Sequence, residues 1–516
     1  MKKLSIVRVI SLIIILSSVV LADHWRVGTG GNPARNGLSG ETGPVYVDTL
    51  WSGGLSAVIA QQVVIEDSFA VMARIFNLND VLHGTYIVCH NLYSGDTLWT
   101  ADLPVDFPST DWRNRVSAIR DGKVYVTRSG NTNASYLYAL DVLDGSIIWQ
   151  SDSLIDEGST EGVSFAANGD LIVGNFSNVM RINASDGSTM WKTTRYSPTS
   201  NGSEIAVSGN MGYGWKAGGP VIAAFDLDTG AELYTSPPIG GGIVQQVAPF
   251  VGPDGTVYAT RTQNNPITDS LVALMDIDTA LVWKWSVPLG YVPFASFGVG
   301  PDSSVYSYTT TNRIIRIDHE TGIIIDSSQV IPAGTLFKPR CAIDAQGIVY
   351  LTDGQTGGSG NAYSFDPDLT LRWTIPVPGN NVCGPALGQE GILVLCGTGT
   401  TVLALQSPTS TAENDATSPL ATLHISAFPN PFRTSTTISL QFHNVALHNQ
   451  ILEMTIFDLA GRMVKTIDCP MPHALSPSLF TWHGDDETGS PLPGGVYILT
   501  CTIGQQTVTE KILLLK

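Results

Sequence analysis

"YLYALDVLDGSIIW", Tyr136 to Trp149, holds two apolar runs around a turn rich in Asp and Gly, and it ends in Trp. Alone it reads as a hairpin, a calcium loop or a cofactor box; its recurrence decides. Relatives are "IVCHNLYSGDTLW" ending at Trp99, "VMRINASDGSTMW" ending at Trp191 and "IAAFDLDTGAELY" ending at Tyr234. They continue as "VALMDIDTALVWKW" to Trp285, "IIRIDHETGIIID" to Asp326 and "NAYSFDPDLTLRW" to Trp373. The turn residues Asn91, Asp141, Asn183, Asp226, Asp276, Asp318 and Asp366 are spaced by 50, 42, 43, 50, 42 and 48 positions. Each unit is preceded by two more short apolar runs, as in "VSAIRDGKVYVTRSG" (Val116–Gly130) and "CAIDAQGIVYLTDG" (Cys341–Gly354). A period in the forties with four strands per unit predicts propeller blades, since a lone blade cannot bury both faces.

The last unit, "TVLALQ" from Thr401, stops before its fourth strand. "VYVDTLW", Val45–Trp51, resembles the strand that ends the other units, so it is expected to close the ring. That predicts eight blades. Seven is the alternative, because the units around Asp276 and Asp318 are the most degenerate.

Bulk properties agree with a turn-rich all-β protein. Of 516 residues 52 are Gly, and only 14% are charged. A formal net charge of −18 argues against nucleic acid as a partner. Residues 1–22 read as a secretory signal peptide. Lys2, Lys3 and Arg8 precede an apolar Ile10–Val20, with small residues Val20 and Ala22 at the expected cleavage positions. An uncleaved anchor is the alternative. Among six cysteines, Cys383 and Cys396 flank "GPALGQEGILVL". A hairpin pairing Leu387 with Ile392 would set them opposite each other, as a cross-strand disulfide or as two buried thiols. Cys469 and Cys501 are a second candidate pair.

"HWRVGTGGNPARNGLSGETGP" (His24–Pro44), followed by "LW" and repeats of the form "YALDxxxGxxxW", resembles the quinoprotein-type propellers over His24 to about Gln406. The resemblance implies an eight-bladed ring in which Trp51, Trp99, Trp149, Trp191, Trp285 and Trp373 dock blade to blade. Enzymes of that group hold a quinone at the axis with calcium, an acidic base and, in several members, a disulfide between adjacent cysteines. This chain has no adjacent Cys pair and no C-x-x-C-H haem motif, so neither a cofactor nor a catalytic residue is assigned. "DLDTG" (Asp226–Gly230) and "DIDT" (Asp276–Thr279) lack the ligand count of a calcium loop and read as turns. H-E-x-x-H, P-loop and G-x-S-x-G motifs are also absent. The innermost strands, near Val116, Val247 and Ala342, show no convergent acidic, His or Arg pattern.

The propeller is thus bounded at 23–406, followed by a Ser/Thr/Pro-rich linker at 407–424. Residues 425–516 alternate in about seven short strands, which predicts a small Ig-like β-sandwich. Its motifs resemble the type A C-terminal sorting domain of the type IX secretion system. They are Phe428-Pro429-Asn430-Pro431-Phe432, Asp458 with Gly461-Arg462, Trp482 with Gly484, Gly495-Val496-Tyr497, and Lys511 to Lys516. That resemblance implies the secretion machinery and a surface sortase as partners, and a cell-surface or extracellular destination via the periplasm. The terminal strand, ending without a tail, is expected to offer a free edge to a receptor. A plain adhesive module is the alternative. The propeller is expected to be a monomeric binding or scaffold module for a protein or carbohydrate. A quinone-dependent dehydrogenase and a glycan-binding adhesin are the other two readings.

Overall fold

The structure is a computed structural model. It describes residues 31–515 apart from short internal stretches, the longest being 77–82, 129–134, 156–162, 240–247, 408–421, 444–451 and 468–477. The signal-peptide reading and most of the linker lie outside the described residues.

Eight antiparallel sheets follow one another along the chain. Blade 2 shows the pattern, with Arg115–Arg120 innermost, then Lys123–Thr127, Leu137–Asp141 and Ile147–Gln150 outermost. Blade 1 carries one additional two-residue strand, Ile59–Ala60. The units around Asp276 and Asp318, degenerate in sequence, form the outer hairpins of complete blades 5 and 6. Blade 8 takes Pro385–Leu387, Leu393–Leu395 and Val402–Gln406 from the end of the ring and Asp48–Gly53 from its start. Among the described residues no helix is long and apolar enough to cross a membrane.

The turn of the opening stretch has a direct cause. Asp141 Oδ1 accepts the Leu143 N–H at 2.8 Å, and the Gly145 N–H donates to the Asp141 carbonyl at 2.8 Å. Gly145 sits at φ 74°, where a side chain is disfavoured. The space is also taken, since a Cβ there would lie 2.6 Å from Trp99 of the previous blade. The Trp99 indole N–H in turn donates to the Val142 carbonyl at 2.7 Å. The same indole-on-turn contact joins Trp51 to Leu92, Trp149 to Ala184, Trp191 to Leu227 and Trp285 to His319. A register shift recurs between the third and fourth strands of all eight blades. In blade 2 it skips Ile148, leaving that residue outside and turning Trp149 toward blade 3.

The degenerate units substitute this contact. Tyr306 donates its hydroxyl to the Pro367 carbonyl at 2.8 Å, the position an indole would use. Tyr234 donates to Asp276 at 2.7 Å, where the following turn has Asp278 rather than Gly in the left-handed region. Trp373 differs from the other tryptophans of the set. Its neighbour is the ring seam, which has no third-to-fourth-strand turn, and its buried indole N–H finds no acceptor among the described residues.

One segment ties the ring from inside. The Pro33 carbonyl accepts from Ser164 Oγ in blade 3 and from the Val207 N–H in blade 4. Ala34, Asn36 and Gly37 carbonyls accept from Val251, Val299 and Ile343, the last residues of the inner strands of blades 5, 6 and 7. The strap then reaches blade 8, where it becomes the closing strand. It therefore lies at the end of the ring that also carries the tight turns.

The C-terminal domain has seven strands in two sheets. One holds Thr422–Phe428, Thr436–His443 and Ser478–Trp482; the other holds Leu452–Asp458, Met463–Ile467, Gly495–Ile503 and Gln506–Leu514. Their shared core includes Ile425, Ile438, Met454, Trp482, Tyr497, Leu499 and Ile512.

Candidate functional site

Strands run up and down through each blade, so the inter-blade connections and the second-to-third-strand connections share the end opposite the strap. That end concentrates buried cations. Arg115 and Arg340 begin the inner strands of blades 2 and 7. Arg74 and Arg128 lie at the same ends of second strands and are fully buried. Arg128 donates to the Leu103 carbonyl at 2.9 Å and pairs with Asp102, which also accepts from Asn114 at 2.7 Å. Arg195 donates to the carbonyls of Trp215, at 2.5 Å, and Asn175, at 3.2 Å. These contacts fasten neighbouring blades to the connections above them. Each guanidinium left the sequence reading unseen because no local spacing links it to the carbonyl it meets.

Among the described residues no two cysteines are cross-linked. Cys383 and Cys396 are buried thiols with no disulfide between them, the second of the two readings the sequence offered. The hairpin register pairs Leu387 with Leu393 instead of Ile392, so the two cysteines are not opposite each other. The extra residue is absorbed by the 3-10 turn Gln389–Gly391, where Glu390 takes a left-handed conformation. Both thiols face Arg74, whose basicity burial lowers and the thiols partly restore. Cys501 is likewise not in a disulfide, and its candidate partner Cys469 lies outside the described residues. Burial pushes the Cys89 thiol up to about 12, so it is inert at neutral pH.

The resemblance to quinoprotein propellers implies calcium ligands, and among the described residues one group has the spacing for a metal. Its members are Asp254, His319 and Glu320. They lie at the strap end, however, and the Lys284 ammonium stands 3.3 Å from Glu320 and 3.6 Å from Asp254. A cation already satisfies these carboxylates.

The ring seam contains a titratable group. His90 is buried beside Trp51, with ring centroids 6.0 Å apart, and its Nδ1 meets the Gly95 carbonyl at 3.2 Å. Its Nε2 is buried with no hydrogen-bond partner. Burial holds its pKa below the ordinary 6.5, and Arg74 adds to the effect. The unfolded chain therefore takes up this proton first. The stability is fully present above about pH 6.5 and is lost as pH falls through the lower folded value. We expect a fall in the denaturation midpoint between pH 7 and 5. It should shrink in His90→Asn, which keeps a donor near the Nδ1 position. An unchanged slope in that variant would clear His90 of the effect.

In the C-terminal domain the motif residues divide by role. Asp458 accepts the N–H groups of Ala460 and Arg462, each at 2.9 Å, and pairs with the Arg462 guanidinium at 2.7 Å. Gly461 supplies the left-handed residue of that turn. Gly495 and Val496 open the strand that carries Tyr497, whose hydroxyl donates to the Pro493 carbonyl at 2.6 Å. Phe428 ends the domain's first strand, and Pro431 is exposed. Asn430 and Phe432 bond to the terminal strand near Lys511. Pro429 and Lys516 lie outside the described residues.

Comparison with known families agrees with this division. Residues 83–327 match the PQQ-type repeat model described as outer membrane protein assembly factor BamB. Residues 426–515 match the model described as secretion system C-terminal sorting domain. Residues 83–327 thus carry PQQ-type repeats within the propeller, and residues 426–515 are a secretion-system sorting domain. The sorting domain engages the type IX secretion machinery and directs the propeller to the cell surface or the extracellular space. Three solved structures are similar at low identity. The C-terminal WD40 domain of Sif2 is 10% identical with a TM-score of 0.45, covering 69% of this chain and 100% of its own. The quinohemoprotein alcohol dehydrogenase ADHIIG from Pseudomonas putida HK5 is 12% identical with a TM-score of 0.43, covering 80% and 83%. The quinohemoprotein alcohol dehydrogenase from Comamonas testosteroni is 13% identical with a TM-score of 0.34, covering 81% and 76%. No curated protein matches the chain.

Proposed function

We propose that this PQQ-repeat propeller is a non-enzymatic binding or scaffold module, placed outside the cell by its sorting domain. The observation that supports it is the strap. By bonding to the inner strands of blades 4 to 7, residues 33–37 cover the inner-strand ends on one side of the ring, which favours the inter-blade end for a ligand. Connections at that end expose large apolar side chains, Leu154, Tyr196 and Val330. Such groups on loops over a rigid ring suit a macromolecular partner. The donor set described above does not support the dehydrogenase reading.

Full-length protein displayed against extracellular protein and glycan panels tests this. Binding should be lost in Tyr196→Glu and Val330→Glu and kept in Leu143→Glu, which lies at the strap end and is even more open to solvent. Loss in Leu143→Glu alone would place the ligand at the wrong end, and no binding at high concentration would remove the binding role. Release of the exported form by cleavage between residues 407 and 424 is the corresponding expectation for a sortase. Recovery of only full-length chain at the surface would discard it.

A further inference from the structure

Over residues 511–515 the terminal strand of the sorting domain is not the free edge that the sequence suggests. On one side, Gln506–Leu514 pairs with Gly495–Ile503 through nine residue pairs. On the other side it meets the segment after the domain's first strand. The Asn430 side-chain amide donates to the Lys511 carbonyl at 2.6 Å, and its Oδ1 accepts the Leu513 N–H at 2.8 Å. Two residues on, the Phe432 N–H donates to the Leu513 carbonyl at 2.9 Å, and the Phe432 carbonyl accepts the Leu515 N–H at 2.7 Å. The Phe432 ring is buried against Trp482, 5.4 Å between centroids, which anchors the segment in the core.

These contacts form a clip over residues 511–515. Chain ends ordinarily fray, and a single-edged terminal strand can be peeled or paired by another chain. Here the bonding groups that a receptor strand would need at Leu513 and Leu515 are already used. What remains is the outward row: Ile512 and Leu514 point into the core, while Lys511 and Leu515 are exposed.

We propose that Asn430 is a positioning residue for export. It fixes the outward row from Lys511 to Leu515, and the secretion machinery reads that row on the folded, clipped domain instead of capturing a peeled tail. This rests on the export reading of the sorting domain. It adds the state in which the signal is read and the residue that sets that state.

The test uses the full chain in a host with the secretion system. Asn430→Ala removes both side-chain bonds. Amide exchange at Leu513 and Leu515 should rise by about tenfold or more, with Leu499 unchanged. The exported fraction should fall severalfold, and Asn430→Asp, which keeps only the acceptor, should be intermediate. Lys511→Glu alters the outward row without touching the clip. It should lower export with exchange unchanged, and it decides the matter if Asn430→Ala loses protection throughout the domain. Normal export in an Asn430→Ala chain with a loosened terminal strand would overturn the proposal. So would increased export, which would mean the strand is peeled, or normal export of Lys511→Glu. Deleting residues 425–516 separates the two readings. If that deletion leaves export intact, the export reading fails. If it abolishes export while both point variants are exported normally, only the clip fails.

Discussion

Trp51→Ala is expected to destabilise the propeller by about 3–5 kcal/mol, the usual cost of removing a buried indole, and to free the N-terminal strap for proteolysis. The matched control is Trp99→Ala. Both indoles are 8% exposed, and both donate to a backbone carbonyl at 2.7 Å on the next blade. They differ in what else joins the two blades. Blades 1 and 2 are consecutive in the chain, whereas blade 8 is closed by Asp48–Gly53 pairing with Val402–Gln406 and meets blade 1 through Trp51 and the apolar cluster around it, which includes Ile65 and Leu92. With Trp51 gone, the closing strand keeps its ladder within blade 8 but loses its grip on blade 1. Urea denaturation should give similar costs for the two variants. Limited proteolysis under native conditions should cut the Trp51→Ala chain within residues 31–53 and leave Trp99→Ala intact there. Equal protection of that segment in both would show that the seam does not depend on this indole.

The ring was legible because its signal is repeated. The turn Asp or Asn, the Gly four residues on and the closing Trp interact across a single blade boundary, so each copy reports the same contact. The missing outer strand was legible by the same logic, since an incomplete last unit requires a donor and Val45–Trp51 resembled one. What the repeat does not encode stayed hidden. Tyr306 replaces an indole from a different strand, so aligning the units could not find it. Ile147 and Ile148 look like core residues but are exposed, because the bulge before Trp149 breaks the alternation of inward and outward positions. The cysteine register failed by one residue at Gln389–Gly391, where a tight turn takes a residue that a plain hairpin would pair. In the sorting domain the motif residues were recognisable, but the edge they cover was not. A side-chain amide bonded to a strand 81 residues away leaves no local pattern.

Gly145→Ala should cost more than twice as much as Gly255→Ala, and the comparison isolates blade docking from backbone strain. Both glycines have positive φ, 74° and 82°. An alanine pays about 1–2 kcal/mol for that conformation at either position. At Gly255 an added Cβ meets nothing within 4 Å, so the backbone term is the whole expected effect. At Gly145 it would lie 2.6 Å from the Trp99 ring, a separation real Cβ atoms do not tolerate. The indole must then lift off the turn, and its hydrogen bond to Val142 must lengthen or break. Overpacking of this kind adds about 1–3 kcal/mol, and a buried carbonyl left without its donor adds to it. Denaturation midpoints of the two variants against the parent chain measure the difference. In the background of Trp99→Ala the clash is absent, so Gly145→Ala should then cost no more than Gly255→Ala. That coupling is the decisive quantity. Additive effects in the double variant would mean that the glycine is needed for its backbone conformation alone and that the indole does not rest on it.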